Sequence, residues 1–414
     1  MRRAQLRRDQ HHAFDRNVEV SFGDMSSVLH RCRKSFWARV TVETAVASVG
    51  IAFLACALIA NQRFLDRHFV PSFFLPRDWY VVLQTSGRLA MAILGTWLAF
   101  VGRRRAGRFA ARTPEGVLRS VMAVVVALGA SELMLNRVHL RPAEWLSADD
   151  EPRRQLDPRL GWTWVPERTG HKSIGGRIID YSIDPAGYRV SRIDEPVDPE
   201  RPTILFTGES VMFGEGLTYE ECIPAQVGAM MGVQAANLAV HGYGNDQAYM
   251  RLQAELPHFR QPVAVVSLFM TALFGRNLDQ DRPHLGPGLI WLPAEHRSRL
   301  SSLAKLVVPY RADTTVERGI TVTREVLRAT SELARAHGAT PLIVVLQFGH
   351  EEGPEQVLRR RILDDASIPY VFVDIDSSWR LPWDRHPNER AAHAIATAIE
   401  SELRGRLAVA RPIK

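Results

Sequence analysis

The chain has 414 residues and a formal net charge of +7, carried by 52 lysines and arginines against 45 aspartates and glutamates. A chain of this length holds two or three structural units. Its positive charge would suit a nucleic-acid-binding protein, but the arginines cluster beside apolar segments, a pattern of membrane topology, so no nucleic acid is expected as a partner. The cysteines, Cys32, Cys56 and Cys222, have neither metal-ligand nor disulfide-framework spacing.

Three apolar segments fill the N-terminal third of the chain, at residues 42–60, 79–101 and 117–135. At about 1.5 Å per residue, each is long enough to cross a hydrocarbon core of ~30 Å. Trp79 and Tyr80 begin the second segment in the manner of an interfacial aromatic anchor. Buried helices of a soluble domain are the alternative. Three long apolar segments with basic connectors argue against it, and residues 41–136 are interpreted as a transmembrane region.

Basic residues set the orientation of these segments. Residues 1–40 form a basic tail, and a secretory signal peptide would begin its apolar stretch sooner. The positive-inside rule places this tail and the second connection in the cytoplasm. Three crossings then place the remaining chain outside the membrane, which predicts a multi-pass protein of the cytoplasmic (inner) membrane with an extracytoplasmic, periplasmic C-terminal domain. The arginines of the second connection are Arg103, Arg104, Arg105, Arg108 and Arg112.

Residues 137–200 form a linker rich in Pro, Asp and Arg. Within it, residues 178–190 surround the turn sequence Asp184-Pro-Ala-Gly187, which predicts a short β-hairpin. We therefore expect a small β-rich collar here, joining the membrane region to the outer domain.

Short apolar runs alternate with helical patterns from residue 201 to 408. This alternation predicts βαβ units, an α/β fold and a parallel sheet with helices on both faces. The irregular connection 271–311 is interpreted as a lid, a cleft wall or a surface insertion. The predicted strands are residues 203–207, 235–240, 263–270, 341–348 and 370–375, and the predicted helices are residues 223–231, 246–256, 316–337, 354–365 and 389–407.

A serine follows the first of these strands. The apolar run 204–206 ends in Gly208-Glu209-Ser210, and the carboxyl ends of strands are where open α/β sheets bind ligands. Ser210 there can expose its hydroxyl at the sheet edge and act as a nucleophile. The alternative is an ordinary β–α turn in which Ser210 caps the next helix.

A carboxylate and an imidazole lie two residues apart before the last predicted helix, as Asp384 and His386. In an extended loop both side chains can point to one side. Asp384 would then orient the ring of His386, whose other nitrogen faces Ser210. The alternative is a solvated surface triplet, Asp-Arg-His. Position favours the active site, because this loop opens on the same edge of the sheet as Ser210.

A glycine turn follows the second strand, in the sequence Asn237-Leu-Ala-Val-His-Gly242-Tyr-Gly244. The N–H of Gly242 can face the same cleft and, with the N–H of Ser210, form an oxyanion hole. The alternative is that glycine serves backbone freedom alone.

These segments together resemble the SGNH (GDSL-like) hydrolase superfamily. The resemblance rests on Gly208-Glu-Ser-Val-Met-Phe-Gly214, the Gly242 turn and Asp384-x-His386-Pro-Asn. It implies a flavodoxin-like sandwich with a five-stranded parallel sheet, Ser210 as nucleophile, His386 as base and Asp384 as the residue that orients it. It also implies the Ser210 and Gly242 N–H groups as oxyanion donors, and neither a metal nor an organic cofactor.

The resemblance covers residues 203–407 and has two departures. Glu209 precedes the serine where Asp is usual, and direct alignment puts Ala272 where the family has an oxyanion asparagine. Asn277, in a longer loop, is the candidate for that role. If neither residue fills it, the oxyanion hole is weaker, and acyl transfer or a binding role gains support.

The sequence therefore predicts a membrane-anchored serine esterase or deacylase acting on an O-acyl ester, expected to be O-acetyl, of an envelope or secreted glycan. The glycan substrate is inferred from the systems in which domains of this kind occur. An O-acyltransferase with the same triad, supplied by a membrane acyl-transfer partner, is the first alternative. A catalytically degenerate glycan-binding or assembly module is the second. The expected partners are thus an acylated glycan or small ester and the lipid bilayer.

Overall fold

The computed structural model describes residues 33, 35–61, 77–135, 137, 150–295, 298–307, 311–382 and 384–410. Most of the predicted basic tail, the first connection and the start of the collar region lie outside these residues. The described residues divide between two compact units, one drawn from Met1–Gln62 and Val81–Met134 and the other from Arg63–Tyr80 and Leu135–Lys414.

The N-terminal helices are long and apolar. Three stretches, Ser35–Ile59, Asp78–Arg112 and Glu115–Leu135, have the length and composition needed to cross a membrane. The second stretch extends beyond its predicted end, because no proline or glycine pair interrupts it before Thr113-Pro114. The arginines expected in a loop therefore lie on a helix. The elements are α1 Ser35–Ile59, α2 Arg77–Trp97, a π-helical turn Leu98–Gly102, α3 Arg103–Arg112 and α4 Pro114–Leu135.

Two glycines bring α1 and α2 together. A Cβ on Gly50 would lie 2.7 Å from the carbonyl oxygen of Gly95, so the two backbones are in close contact at this point. The polar side chain of Arg88 is accommodated here too, because its Nε donates to the carbonyl oxygen of Ala57 at 2.8 Å.

The C-terminal unit contains a sheet of eight strands in the order β12-β11-β8-β6-β7-β5-β4-β3. The five from β12 to β7 are parallel and the last three antiparallel. The prediction of five strands is therefore wrong in number, because collar strands extend the parallel sheet. The strands are β1 Arg154–Asp157, β2 Gly161–Trp164, β3 Arg168–Ile174, β4 Arg177–Ile183, β5 Arg189–Val190, β6 Thr203–Thr207, β7 Gln234–Asn237, β8 Pro262–Phe269, β9 His284–Leu285, β10 Trp291–Leu292, β11 Thr340–Phe348 and β12 Tyr370–Ile375.

Helices cover the parallel strands on both faces, as predicted. Ile204 and Phe206 of β6 pack into one apolar core, whereas Leu205 between them packs into the other, because successive side chains of a strand point to opposite faces. The first core includes residues of α6 and α11, and the second includes residues of α7 and α9. The helices are α5 Ser210–Phe213, α6 Ile223–Met231, α7 Asn245–Glu255, α8 Arg299–Val307, α9 Asp313–Ala336, α10 Gly353–Arg359 and α11 Glu389–Ala410.

The predicted hairpin around Asp184 is present as β4 and β5. Asp184 Oδ1 accepts hydrogen bonds from the N–H groups of Ala186 and Tyr188, which closes the turn. β5 then pairs with β7 through Arg189 and Asn237. This single pair joins the collar strands to the parallel sheet.

Candidate active site

Ser210 lies where β6 turns into α5. Glu209 caps this short helix, since its Oε1 accepts a hydrogen bond from Val211 N at 3.1 Å. The helix ends after one turn at Gly214, whose φ of +86° is in the left-handed region. A Cβ at Gly214 would lie 2.5 Å from Cβ of Cys222. Backbone and packing therefore both require glycine here, and the turn is fixed on each side of Ser210.

His386 and Asp384 lie in the loop between β12 and α11. His386 Nε2 is 2.8 Å from Ser210 Oγ, across 176 positions of sequence, and His386 Nδ1 hydrogen-bonds to Asp384 Oδ1. The loop is not extended as expected, because Arg385 has a φ of +67°. The N–H of Leu381 donates to the carbonyl oxygen of His386 at 2.7 Å and closes the loop. The structure thus brings the three predicted side chains into one relay.

Burial shapes the electrostatics of this relay. The exposed fraction is 0% for Ser210 and 2% for His386. Burial raises the pKa of Asp384, but the hydrogen bond to His386 and the charge of His386 have the larger effect. The pKa of Asp384 therefore lies below its usual value. An ionised Asp384 favours the proton on Nδ1 of His386. Nε2 is then able to accept the proton of Ser210.

Glu209 provides a second acceptor for the same serine proton. Its Oε2 lies 2.6 Å from Ser210 Oγ and 3.2 Å from a guanidinium nitrogen of Arg276. Glu209 stands where the resembling family has Asp, and no sequence motif pointed to Arg276. The one sequence signal for Arg276 is that it immediately precedes Asn277.

The Gly242 turn is clamped from several sides. Gly242 has a φ of +84°, and its carbonyl oxygen accepts from Nη1 of Arg282 at 2.6 Å. The preceding carbonyl, of His241, accepts from Nε1 of Trp162 at 2.9 Å. Within the described residues, no hydrogen bond uses the N–H of Gly242 or of Ser210. Neither group is therefore committed to an acceptor among these residues.

The amide of Asn277, the residue considered as a third oxyanion donor, hydrogen-bonds to neighbouring residues in the structure. Its Nδ2 donates to Asn245 Oδ1 and to Thr323 Oγ1, both at 3.0 Å, and its Oδ1 accepts from Asn245 N at 2.9 Å. Both hydrogens of the amide are used, so neither is left for an oxyanion. Ala272, the aligned alternative, packs against the apolar core and carries no side-chain donor.

A second carboxylate and imidazole lie beside the relay. Glu215, with 3% of its side chain exposed, has Oε2 at 3.6 Å from His241 Nδ1, and its Oε1 accepts from Lys172 Nζ at 2.9 Å. The ring centroids of His241 and His386 are 6.1 Å apart. Burial raises the pKa of Glu215, but the nearby imidazole of His241 and the charge of Lys172 outweigh burial and hold that pKa well below its usual range. The sequence alone does not give the distance between this pair and Ser210.

A small cavity lies beside the turn that precedes Ser210. Its volume of about 20 Å³ is room for roughly one water molecule. The cavity is lined by Gly208, Glu209, Tyr243, Gly244, Asn245, Ala248, Leu268, Met270, Leu273 and Asn277.

In the described part of the chain, no group of three or more His, Cys, Asp or Glu side chains is arranged to hold a metal ion.

No protein-family model matches the sequence, and no curated protein does. Part of the chain is similar to three solved structures. A putative lipolytic protein of the G-D-S-L family from Desulfitobacterium hafniense is 11% identical, with a TM-score of 0.32, over 48% of this chain and 98% of that one. A family two carbohydrate esterase from Cellvibrio japonicus is 14% identical, with a TM-score of 0.32, over 52% and 64%. An acetyl xylan esterase from Butyrivibrio proteoclasticus is 11% identical, with a TM-score of 0.32, over 52% and 66%.

Proposed function

We propose that this protein is a membrane-anchored serine esterase of the SGNH type. One observation carries the proposal: the hydroxyl of Ser210, the imidazole of His386 and the carboxylate of Asp384 form a continuous hydrogen-bonded relay. A nucleophilic serine needs a base within reach and a third group that orients the base. Each requirement is met by a residue of this relay.

In the first step, Ser210 Oγ attacks the ester carbonyl while His386 Nε2 takes its proton. Asp384 stabilises the resulting imidazolium. The N–H groups of Ser210 and Gly242 donate to the oxyanion of the tetrahedral intermediate. His386 then gives its proton to the departing alcohol, which leaves an acyl group on Ser210.

In the second step, water attacks the acyl group as His386 takes its proton, and the carboxylic acid leaves as the proton returns to Ser210 Oγ. The competing hydrogen bond from Ser210 to Glu209 has to be broken before His386 can act as base. Glu209 is held in place by Arg276, so the carboxylate stays beside the serine throughout.

The proposed substrate is an O-acyl ester, with acetyl as the acyl group, on an envelope or secreted glycan. The three apolar N-terminal helices favour an anchor in the cytoplasmic membrane. With the arginines of α3 on the cytoplasmic side, the C-terminal unit would act in the periplasm.

A fluorophosphonate probe tests the nucleophile in the full chain, purified in detergent. Such a probe should label the wild-type protein at Ser210 and leave the Ser210→Ala variant unlabelled. His386→Ala should retain Ser210 but label at least roughly 10³-fold more slowly, because the hydroxyl loses its base. Equal labelling of wild type and Ser210→Ala would reject Ser210 as the nucleophile. A matched control is Ser191→Ala, since Ser191 lies on the exposed side of the collar.

The burial of Ser210 and His386 favours a second candidate, transfer of the acyl group to a glycan hydroxyl. A site that excludes water protects an acyl-enzyme from hydrolysis. A membrane partner would then supply the acyl group. Assays of acetyl-ester turnover with and without a glycan acceptor separate the two reactions. Rapid turnover without an acceptor supports the esterase, and turnover that depends on the acceptor supports the transferase.

A further inference from the structure

Two carboxylate–imidazole pairs lie side by side in the C-terminal unit. In the first, Asp384 and His386 belong to the relay with Ser210. In the second, Glu215 approaches His241. The ring centroids of His241 and His386 are 6.1 Å apart, and their planes are inclined by 47°. His386 is buried, whereas 28% of the His241 side chain is exposed. His241 is thus the ring of the two that a dissolved molecule reaches first.

The second pair is built into the fold. Lys172 Nζ bridges Glu215 Oε1 and Asp150 Oδ1, at 2.9 Å each. Burying a carboxylate costs several kcal/mol of free energy unless it is paired, and the proposed relay does not require Glu215. The neighbouring segment is also fixed, because Gly216 N donates to the hydroxyl of Tyr181 at 2.9 Å.

The position of Glu215 determines what His241 can do. A carboxylate beside Nδ1 favours the tautomer with its proton on that nitrogen, which leaves Nε2 as an acceptor. No hydrogen bond to Nε2 of His241 is formed by any residue that the structure describes. The main chain of His241 is held by Trp162. The ring therefore offers a fixed acceptor beside the serine site.

We infer that His241, oriented by Glu215, binds a free hydroxyl on the alcohol portion of the ester. This inference rests on the proposed function, since it extends the site around Ser210. In the first step, the ester oxygen leaves as an alcohol beside His386. A hydroxyl on the adjacent carbon can then donate to Nε2 of His241. The substrate class is therefore an ester of a vicinal polyol, and His241 is the residue that distinguishes it from an ester of a simple alcohol.

The test compares glycerol monoacetate with ethyl acetate, using the full chain in detergent. Wild type should have the higher kcat/KM for glycerol monoacetate. His241→Leu should lower the ratio of the two kcat/KM values by about 10-fold, the effect of losing one hydrogen bond to a substrate hydroxyl at a partly exposed residue. His241→Gln, which can still accept a hydrogen bond, should restore part of the ratio.

His258→Leu is the matched control. His258 Nδ1 also lies 3.6 Å from a carboxylate, that of Glu255, but the His258 side chain is 70% exposed. His258 lies between α7 and the start of β8, at the amino ends of the parallel strands and away from Ser210. Its replacement should leave the ratio unchanged. An unchanged ratio in His241→Leu would overturn the inference, and so would a wild-type protein that prefers ethyl acetate.

A binding measurement keeps this outcome separate from failure of the proposed function. Absence of fluorophosphonate labelling and of turnover with either ester would reject the esterase itself. Saturation-transfer NMR with glycerol monoacetate then tests His241 directly. Weaker binding to His241→Leu than to wild type and His258→Leu supports the inference. Equal binding to all three, or no binding to any, overturns it.

Discussion

The buried carboxylate of Glu215 is coupled to the charges around the candidate active site. It interacts with Lys172 at 2.9 Å and with His241 at 3.6 Å, and these groups lower its pKa despite its burial. His386 likewise lowers the pKa of Asp384, against the opposing effect of burial. Both carboxylates therefore remain ionised at neutral pH, and both orient an imidazole. The same ionised carboxylates thus stabilise the folded state and set the tautomers of His241 and His386.

The depressed pKa of Glu215 predicts how stability changes with pH. In the unfolded chain a glutamate titrates at about 4.3, above its folded pKa, so below about pH 5 the unfolded state binds more protons. The stabilisation from Glu215 is therefore complete at pH 6–7 and decreases as pH falls toward the folded pKa. Glu215→Gln should lower the free energy of unfolding by about 3 kcal/mol at pH 7, and this difference should shrink toward pH 3.

Guanidinium denaturation of the full chain at pH 7, 5 and 4, followed by tryptophan fluorescence, measures this change. Glu195→Gln is the control, because Glu195 is an exposed carboxylate of the collar. It should match wild type at each pH. A difference between Glu215→Gln and wild type that stays constant or grows on acidification would contradict the assigned direction of the pKa shift.

At the scale of elements, a collar strand supports the serine turn. Arg189 of β5 donates from Nη1 to the carbonyl oxygens of Phe213 and Gly214, at 2.8 Å each, and from Nη2 to that of Leu217 at 2.5 Å. Its guanidinium lies 4.7 Å from the ring centroid of Tyr181. These carbonyls belong to α5 and the residues after it, immediately behind Ser210. The collar therefore contributes to the geometry of the site.

Arg189→Leu should remove this support. Three hydrogen bonds from a buried cation are lost, and the carbonyl of Leu217 loses its donor, whereas those of Phe213 and Gly214 keep Asn237 Nδ2 and Leu217 N. This loss should lower the free energy of unfolding by about 3 kcal/mol, and the loosened turn should slow fluorophosphonate labelling of Ser210. Arg189→Lys should fall between the two, because an ammonium cannot reproduce the planar fork of donors. Arg192→Leu is the control, since Arg192 is 63% exposed. Labelling and a denaturation midpoint equal to wild type in Arg189→Leu would show that the collar is dispensable for the site.

Features of this fold that depend on neighbouring residues can be predicted from the sequence, whereas those that depend on distant residues cannot. β6 and β12 have the bounds that the sequence predicts, 203–207 and 370–375, because each is an apolar run with clear ends. The union of the collar with the sheet depends on the single pair of Arg189 with Asn237, which no local pattern encodes. Similarly, the family resemblance makes Asn277, in a longer loop, a candidate donor, but its amide is used by Asn245 and Thr323. These hydrogen-bond partners are distant in sequence, so no local pattern could identify them.

At the scale of the whole molecule, the chain combines a hydrogen-bonded serine relay with helices suited to a bilayer. The relay residues come from positions 210, 384 and 386, all in the C-terminal unit, and the apolar helices belong almost entirely to the N-terminal unit. Which side of the membrane the C-terminal unit occupies decides which esters it can meet. Charge distribution provides the physical argument for that side. The arginines of α3 end the second apolar stretch, and no equal cluster ends the third.

Reporter fusions after Lys414 test this orientation. Alkaline phosphatase, which folds only outside the cytoplasm, should be active there, and green fluorescent protein should not fluoresce after export. Replacing Arg103, Arg104, Arg105 and Arg108 with Gln should lower phosphatase activity, because in the proposed orientation these cations keep the end of the second helix in the cytoplasm. Replacing the exposed Arg192 and Arg260 should not change it. A fluorescent fusion with inactive phosphatase would place the relay in the cytoplasm, where an envelope glycan is out of reach.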